Sequence, residues 1–359
     1  MSEPRGPLRL PADLLSRSAE EAVRRLALVQ LGRASAARLR LVEGDREEAL
    51  HDFRVALRRL RSLLRSHRGS FSHEFPKKSL RRIAAIARDT NPGRDAEVQL
   101  AWVVTLAADL KPAERAGHAA LARELTERRD ECYRKVEREI VRDFSALATD
   151  FSARLRSYQV GVDLARPSRP QTFAAATRSA LAQASSDCLE KLAALESAAD
   201  ESAGHAARIA AKRVRYLAEP VAPWIAAAEL PIAHLKALQD LLGELHDGQL
   251  LAAHIAQSLA ELEARRAQTL VAATLDASSA GKPTEPAARR RERAGLLAVA
   301  RKLGERRNEL FAELERDWLG TRAPVRTELV EALVVLDEAL AIGRRRATPG
   351  SRKTSGKRR

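Results

Sequence analysis

Apolar residues recur at three- and four-residue steps along most of this chain, and no convincing alternating run appears among them. From about Pro11 to Val42, Leu14, Leu15, Val23, Leu26, Val29 and Leu39 keep the helical interval, and Gly44-Asp45 breaks it. A basic helix is predicted from about Arg46 to His67, stopping near Gly69, and a third helix over roughly Glu74 to Ala87. RDTNPGRD, Arg88 to Asp95, reads as a loop with Asn91-Pro92-Gly93 as its breaker. Helical pattern resumes over about 95–110 and through the charged stretch 112–145. The second half predicts helices at about 171–198, 202–219, 232–244 (ending at Gly243), 247–275, 286–316 and 323–343. Prolines at 220, 223 and 231 delimit short connections. Arg166-Pro167-Ser168-Arg169-Pro170 marks the seam between halves, and DASSAGKPTEP (276–286) reads as a flexible loop. The fold class is all-α.

Composition supports that reading. Helix formers dominate, aromatics are only 4%, and 45% of residues are hydrophobic, enough for a core. Residues 1–10 read as a flexible leader without a continuous apolar stretch, so no signal peptide is expected. No run approaches the length of a membrane span. Cys132 and Cys188 are too few for a disulfide framework or a zinc cluster and fit a reducing cytosol. The formal charge is +15, of which Arg344 to Arg359, read as a disordered basic tail (344–359), supply +8. The rest is moderately basic, which favours polyanions (nucleic acid, polyphosphate, an anionic membrane face) without choosing among them.

A cationic helix occurs twice. HDFRVALRRLRSLLR begins at His51 and HAARIAAKRVRY at His205, an offset of 154 that matches Arg54 with Arg208, Arg58 with Lys212, Arg59 with Arg213 and Arg61 with Arg215. Self-similarity at a fixed offset is the mark of a duplicated unit. His51, Arg54, Arg58, Arg61 and Arg65 fall at steps of 3, 4, 3 and 4, forming one stripe on a helix. Phe53, Leu57, Leu60 and Leu64 form a separate apolar stripe. The second copy pairs His205, Arg208, Lys212 and Arg215 with apolar Ala207, Ala211, Val214 and Leu217. Like charges at this spacing repel, and the first stripe contains no acid. Guanidinium forks suit phosphate oxygens, so two such stripes point to one site for a large anion. Tyr216 is the only aromatic well placed for a ligand, and a buried ring explains it equally well.

Two other chemistries fit parts of the pattern. His51-Asp52 and His246-Asp247 are adjacent His-Asp pairs of the kind that hold metal in helical phosphohydrolases. No histidine precedes His51, and arginines would oppose a divalent cation there, whereas the second pair has His205 and His234 upstream and stays open by count. Nucleic-acid binding by stacking would want aromatics beside the cations, leaving the tail as its main carrier. No P-loop, dinucleotide fingerprint or nucleophile elbow is present.

The two basic helices, PGRDAEV at 92–98 and ALQDLLGELHDGQLL at 237–251 together resemble the CHAD family, the conserved-histidine α-helical domain. The resemblance spans about residues 10–343. It implies a duplicated helical bundle of two four-helix-like halves, 11–165 and 171–343, with pseudo-two-fold symmetry around a central basic cavity. It also implies non-catalytic binding of inorganic polyphosphate, with no cofactor, no metal and no catalytic residue. The expected contacts are His51, Arg54, Arg58, Arg61, Arg65, His205, Arg208, Lys212 and Arg215, joined by Arg81 and Lys236. The repeat adds Arg59 and Arg213, and Arg94 and Tyr216 complete the set. Two departures occur: a loop three residues longer before Asp95 than before Asp247, and histidine at 246 where Arg94 stands in the first copy. A cytoplasmic setting, in some relatives on storage granules, accompanies the resemblance.

Overall fold

Two helix N-termini separated by the repeat offset lie against each other. Ser18 and Thr172 form an isolated antiparallel bridge, in which Ala19 N–H donates to Gln171 O and Phe173 N–H to Arg17 O, both at 2.9 Å. Each cap hydroxyl also accepts from its own helix: Ser18 Oγ from the Glu21 N–H and Thr172 Oγ1 from the Ala175 N–H. These bonds satisfy donors that a helix start leaves free.

The computed structural model describes residues 10–45, 47–71, 76–108, 110–157, 171–275 and 286–345. Among them, α1 (Ala19–Val42), α2 (Glu47–Ser66), α3 (Lys77–Asp89), α4 (Asn91–Thr105), α5 (Arg115–Lys135) and α6 (Val141–Arg156) come from the first half of the chain. The second half supplies α7 (Phe173–Ala193), α8 (Glu201–Ala218), α9 (Glu229–Leu275), α10 (Ala287–Asp317) and α11 (Pro324–Arg345). The described residues contain no strand. The seam at 166–170, nearly all of the 276–286 loop, and most of the leader and tail lie outside the described residues.

Three boundaries differ from expectation. RDTNPGRD is not a loop: α3 runs to Asp89, Thr90 alone separates it from α4, and Pro92 sits in the first turn of α4. Proline is well suited there because the first helical N–H groups lack partners anyway. Gly243 does not end a helix either, since α9 runs unbroken through it. The stretch 112–145 is broken by a π-helical turn at Val136–Ile140.

α1 packs along α2, α7 along α8, and α2 also touches α8. The main core joins both halves, from Phe53, Leu57, Leu60 and Leu64 through Phe144 and Phe151 to Phe173, Ala211, Val214 and Leu217. A second core lies where α4 and α5 meet α9 and α10, around Val103, Leu121, Leu251, Ile255, Leu296 and Leu303. The halves are therefore interlocked through two cores, with α2 and α8 side by side at the larger one.

Candidate functional site

The apolar stripes decide where the cations go. Phe53, Leu57, Leu60 and Leu64 are at most 1% exposed, and Ala207, Ala211, Val214 and Leu217 at most 2%. Burying those faces turns the Arg and Lys faces of α2 and α8 toward a shared cavity of about 530 Å³. Arg58, Arg61 and Arg65 line it from α2, and Lys212, Arg213 and Tyr216 from α8, with Ser62, Ser66 and Ile209 completing the wall. No carboxylate is among the lining residues.

Arg58 Cζ lies 5.9 Å from the centre of the Tyr216 ring and Arg215 Cζ 5.2 Å. Tyr216 itself is buried, so its ring acts as a platform between the two guanidinium groups. The Nε atoms of Arg58, Arg61 and Arg208 are buried without a hydrogen bond from the protein. Such donors are costly to leave unsatisfied, and phosphate oxygens are suitable acceptors.

At one end of the α2 stripe, Arg54 Nη1 donates to Thr90 Oγ1 at 2.8 Å, and that hydroxyl donates to Ala87 O at 2.7 Å. The break between α3 and α4 thus holds an arginine in place. Burial first, then the Arg58 charge, brings Arg54 down to about 10, still charged at neutral pH. Burial lowers Arg208 in the same direction. Asp95 of α4 and Asp247 of α9 counter these two charges: Asp95 acts on Arg54, and both aspartates act on Arg208. Burial raises both carboxyls, Arg54 opposing it most strongly at Asp95 and Arg208 at Asp247. Arg94 is tied to Glu97, which also accepts from Tyr133 Oη at 2.8 Å.

The expected residues do not all converge. His51 and His205 are exposed, and burial lowers His51. His205 lies 5.0 Å from His246, ring to ring, and burial followed by Arg208 lowers His246 to about 4. Arg81 and Lys236 are exposed on α3 and α9 and are not among the residues lining the cavity. Arg59 faces a different cavity and donates from Nε to Glu219 Oε2 at 2.8 Å. Glu219 also holds Arg215 at 3.3 Å. Asp52 pairs with Arg40 of α1. Among the described residues, no group of three or more His, Cys, Asp or Glu is arranged for a metal.

Sequence reasoning passed over Thr90, Asp95, Asp247 and Glu219 as site residues. The aspartates were visible as the repeated acid of PGRDAEV and LHDGQL. Glu219 was visible too, standing at the repeat position of Arg65.

The CHAD domain profile matches residues 25–256, and the chain belongs to the CHAD domain family. The crystal structure of the CHAD domain from the plant Ricinus communis is similar at a TM-score of 0.57 and 18% identity, covering 91% of this chain and 94% of that one. PptA from Streptomyces chartreusis is similar at a TM-score of 0.55 and 17% identity, covering 88% of this chain and 99% of that one. At such identities the likeness is one of fold. No curated protein matches in sequence.

Proposed function

We propose that this protein is a non-catalytic binding module for inorganic polyphosphate, held in the cationic cavity between α2 and α8. One observation carries the reading: Arg58, Arg61, Arg65, Lys212 and Arg213 line a single cavity with no acid among its lining residues. With Arg54, the cations of α2 extend over eleven residue steps of helix, about 16 Å at the usual rise, and Arg208 extends those of α8. A single phosphate would engage only two or three of them, whereas a linear polyanion can follow the whole stripe. Asp95 and Asp247, at the Arg54 and Arg208 end, would repel phosphate and limit how far a chain advances in that direction.

The two halves, 11–165 and 171–343, act in this reading as one unit, because each contributes one wall. The repeat offset shared by Ser18 and Thr172 and by the two stripes supports their origin as duplicated halves related by a pseudo-two-fold axis. A metal-dependent hydrolase is less well supported, since Asp52 is engaged by Arg40 and His246 is held neutral among cations. Nucleic-acid binding would need stacking surfaces, and Tyr216 is buried. No helix among the described residues is long and apolar enough to cross a membrane. A cytoplasmic, granule-associated setting rests on the family resemblance alone.

The test is titration with polyphosphates of defined length, against RNA and DNA, at several salt concentrations. Displaced counterions give a log–log slope of about −0.7 per phosphate contact on single strands, so five contacts predict about −3 or steeper. Tighter binding of RNA or DNA than of polyphosphate at equal salt, or a nearly flat slope, would remove the reading.

A further inference from the structure

Lys212 is the one lysine among the cavity cations, and it is poorly compensated. It shares the cavity wall with Arg58, Arg61, Arg65 and Arg213. Among the described residues its ammonium makes no hydrogen bond or ion pair. The charges around it are mostly positive: Arg58 from α2, and Arg208 and Arg215 from α8 itself. From α9 come His246 and Asp247. Asp247 is the acid that acts most strongly on Lys212, and it is shared with Arg208. Glu219, in the turn after α8, is occupied by Arg59 and Arg215. A half-buried amine in this position gives up its proton far more readily than a solvated one. Burial, then Arg208 and Arg58, brings Lys212 down to about 7.

We propose that Lys212 makes this cavity a proton-coupled anion site: entry of a polyanion draws a proton from solution onto the lysine amine, so binding strengthens as pH falls toward neutrality. The inference rests on the polyphosphate reading above. The surrounding guanidinium groups keep their protons well above neutral pH, so they do not respond in this way near neutrality. His51 and His246 are both pulled downward, away from the range in which Lys212 responds. The step is a simple protonation, a neutral amine and a solvent proton giving an ammonium that pairs with a phosphate oxygen.

The sign follows from linkage. In the free protein Lys212 is half-neutral at about 7, and a bound polyanion returns it toward the ordinary lysine value. Between those limits the complex holds more protons than the free protein, so affinity falls as pH rises, by at most about tenfold per pH unit for one proton. Below the free-state value Lys212 is charged in both states and contributes no pH dependence.

The experiment is calorimetric titration of the full chain with long-chain inorganic polyphosphate near pH 8, in two buffers of different ionisation enthalpy. Wild type, Lys212→Arg and Lys212→Met are compared, with circular dichroism confirming that each is folded. Wild type is expected to take up close to one proton more per loaded site than either variant. Its affinity should drop by up to about tenfold between about pH 8 and about pH 9, while both variants stay flat there. Lys212→Met should bind more weakly than Lys212→Arg throughout. Tight binding with equal proton uptake in wild type and Lys212→Arg overturns this inference and leaves the polyphosphate reading standing. No binding by wild type or Lys212→Arg, even at low salt, overturns that reading and this inference with it.

Discussion

Gly117 of α5 and Gly295 of α10 meet backbone to backbone. A Cβ on Gly117 would lie 2.8 Å from the Gly295 Cα and 2.0 Å from the Glu292 carbonyl oxygen. The relation is reciprocal, since a Cβ on Gly295 would lie 2.7 Å from the Gly117 Cα and 2.2 Å from the Glu114 carbonyl oxygen. These contacts are to backbone, so no side chain can swing away to make room. Gly117→Ala or Gly295→Ala must push the helices apart and is expected to destabilise by at least the 1–3 kcal/mol, roughly, of an overpacked core. Gly304→Ala on the same α10 is the control, because nothing lies within 4 Å of its added methyl. That change should be neutral or stabilising by up to about 1 kcal/mol through helix propensity. Urea denaturation of the three variants is the measurement, and equal stabilities would contradict the close crossing.

His67 should make the fold acid-sensitive. It is 3% exposed, its Nδ1 has no hydrogen-bond partner, and its ring lies 5.3 Å from that of Phe173. Burial brings it down to about 4 from the ordinary 6.5. Between those values the unfolded chain binds a proton that the folded one refuses, so stability falls as pH drops through the window. The full loss is about 3 kcal/mol, complete once the folded-state value is passed. His67→Phe removes the titration. The difference in unfolding free energy between about pH 7 and about pH 4 should shrink by a few kcal/mol relative to wild type. His51 and His246 act in the same direction, and the comparison subtracts them.

Much of this arrangement was legible in the chain. The cationic and apolar stripes of α2 and α8 could be read because each face keeps one chemistry over several turns. Other features were hidden by local signals that tertiary contacts overrule. Gly243 reads as a helix stop, yet the Arg208 guanidinium lies across it, with Nε and Nη2 both 3.8 Å from where its Cβ would be. The helix runs unbroken past this glycine, and an added methyl there would make only ordinary contact with the arginine. Pro92 reads as a breaker but opens α4, and the short junction it leaves puts Thr90 under Arg54. The Gly117–Gly295 crossing had a signal too, Glu-Arg-Ala-Gly at 114–117 and again at 292–295. Its offset differs from the 154 of the basic helices, so a search at one spacing does not find it. Side-chain pairings such as Arg59 with Glu219 depend on helix rotation and were not readable from spacing.

Glu219 sets a limit on the cationic field. It stands where the repeat places Arg65, and it binds both Arg59 and Arg215. Glu219→Gln removes one negative charge from the Tyr216 side of the cavity and frees two guanidinium groups. Polyphosphate affinity should rise by roughly two- to fivefold at low salt and converge with wild type at high salt, as screening predicts. The pairs are partly exposed, so the stability cost should stay within about 1 kcal/mol. Unchanged affinity across all salt concentrations would show that Arg59 and Arg215 play no part in ligand binding.

Charge held on the α2 stripe should count for more than the same charge at the C-terminus. Arg54 is fixed by Thr90, while Arg58 and Arg61 line the cavity from a helix whose opposite face is fully buried. These cations are positioned before a ligand arrives, so binding costs little further ordering. Charge-assisted bonds of this kind contribute about 1.5–3 kcal/mol each. Arg54→Ala, Arg58→Ala, Arg61→Ala together should therefore largely abolish polyphosphate binding, while helical circular dichroism persists because the apolar stripe is untouched. Truncation after Arg345 removes Arg346, Arg352, Lys353, Lys357, Arg358 and Arg359. It takes away twice as many cations, all of them after α11 in the sequence. That truncation should weaken binding only a few-fold at moderate salt, through the loss of long-range attraction. If the truncated chain fails to bind and the triple variant binds normally, the cavity between α2 and α8 is not where polyphosphate is held.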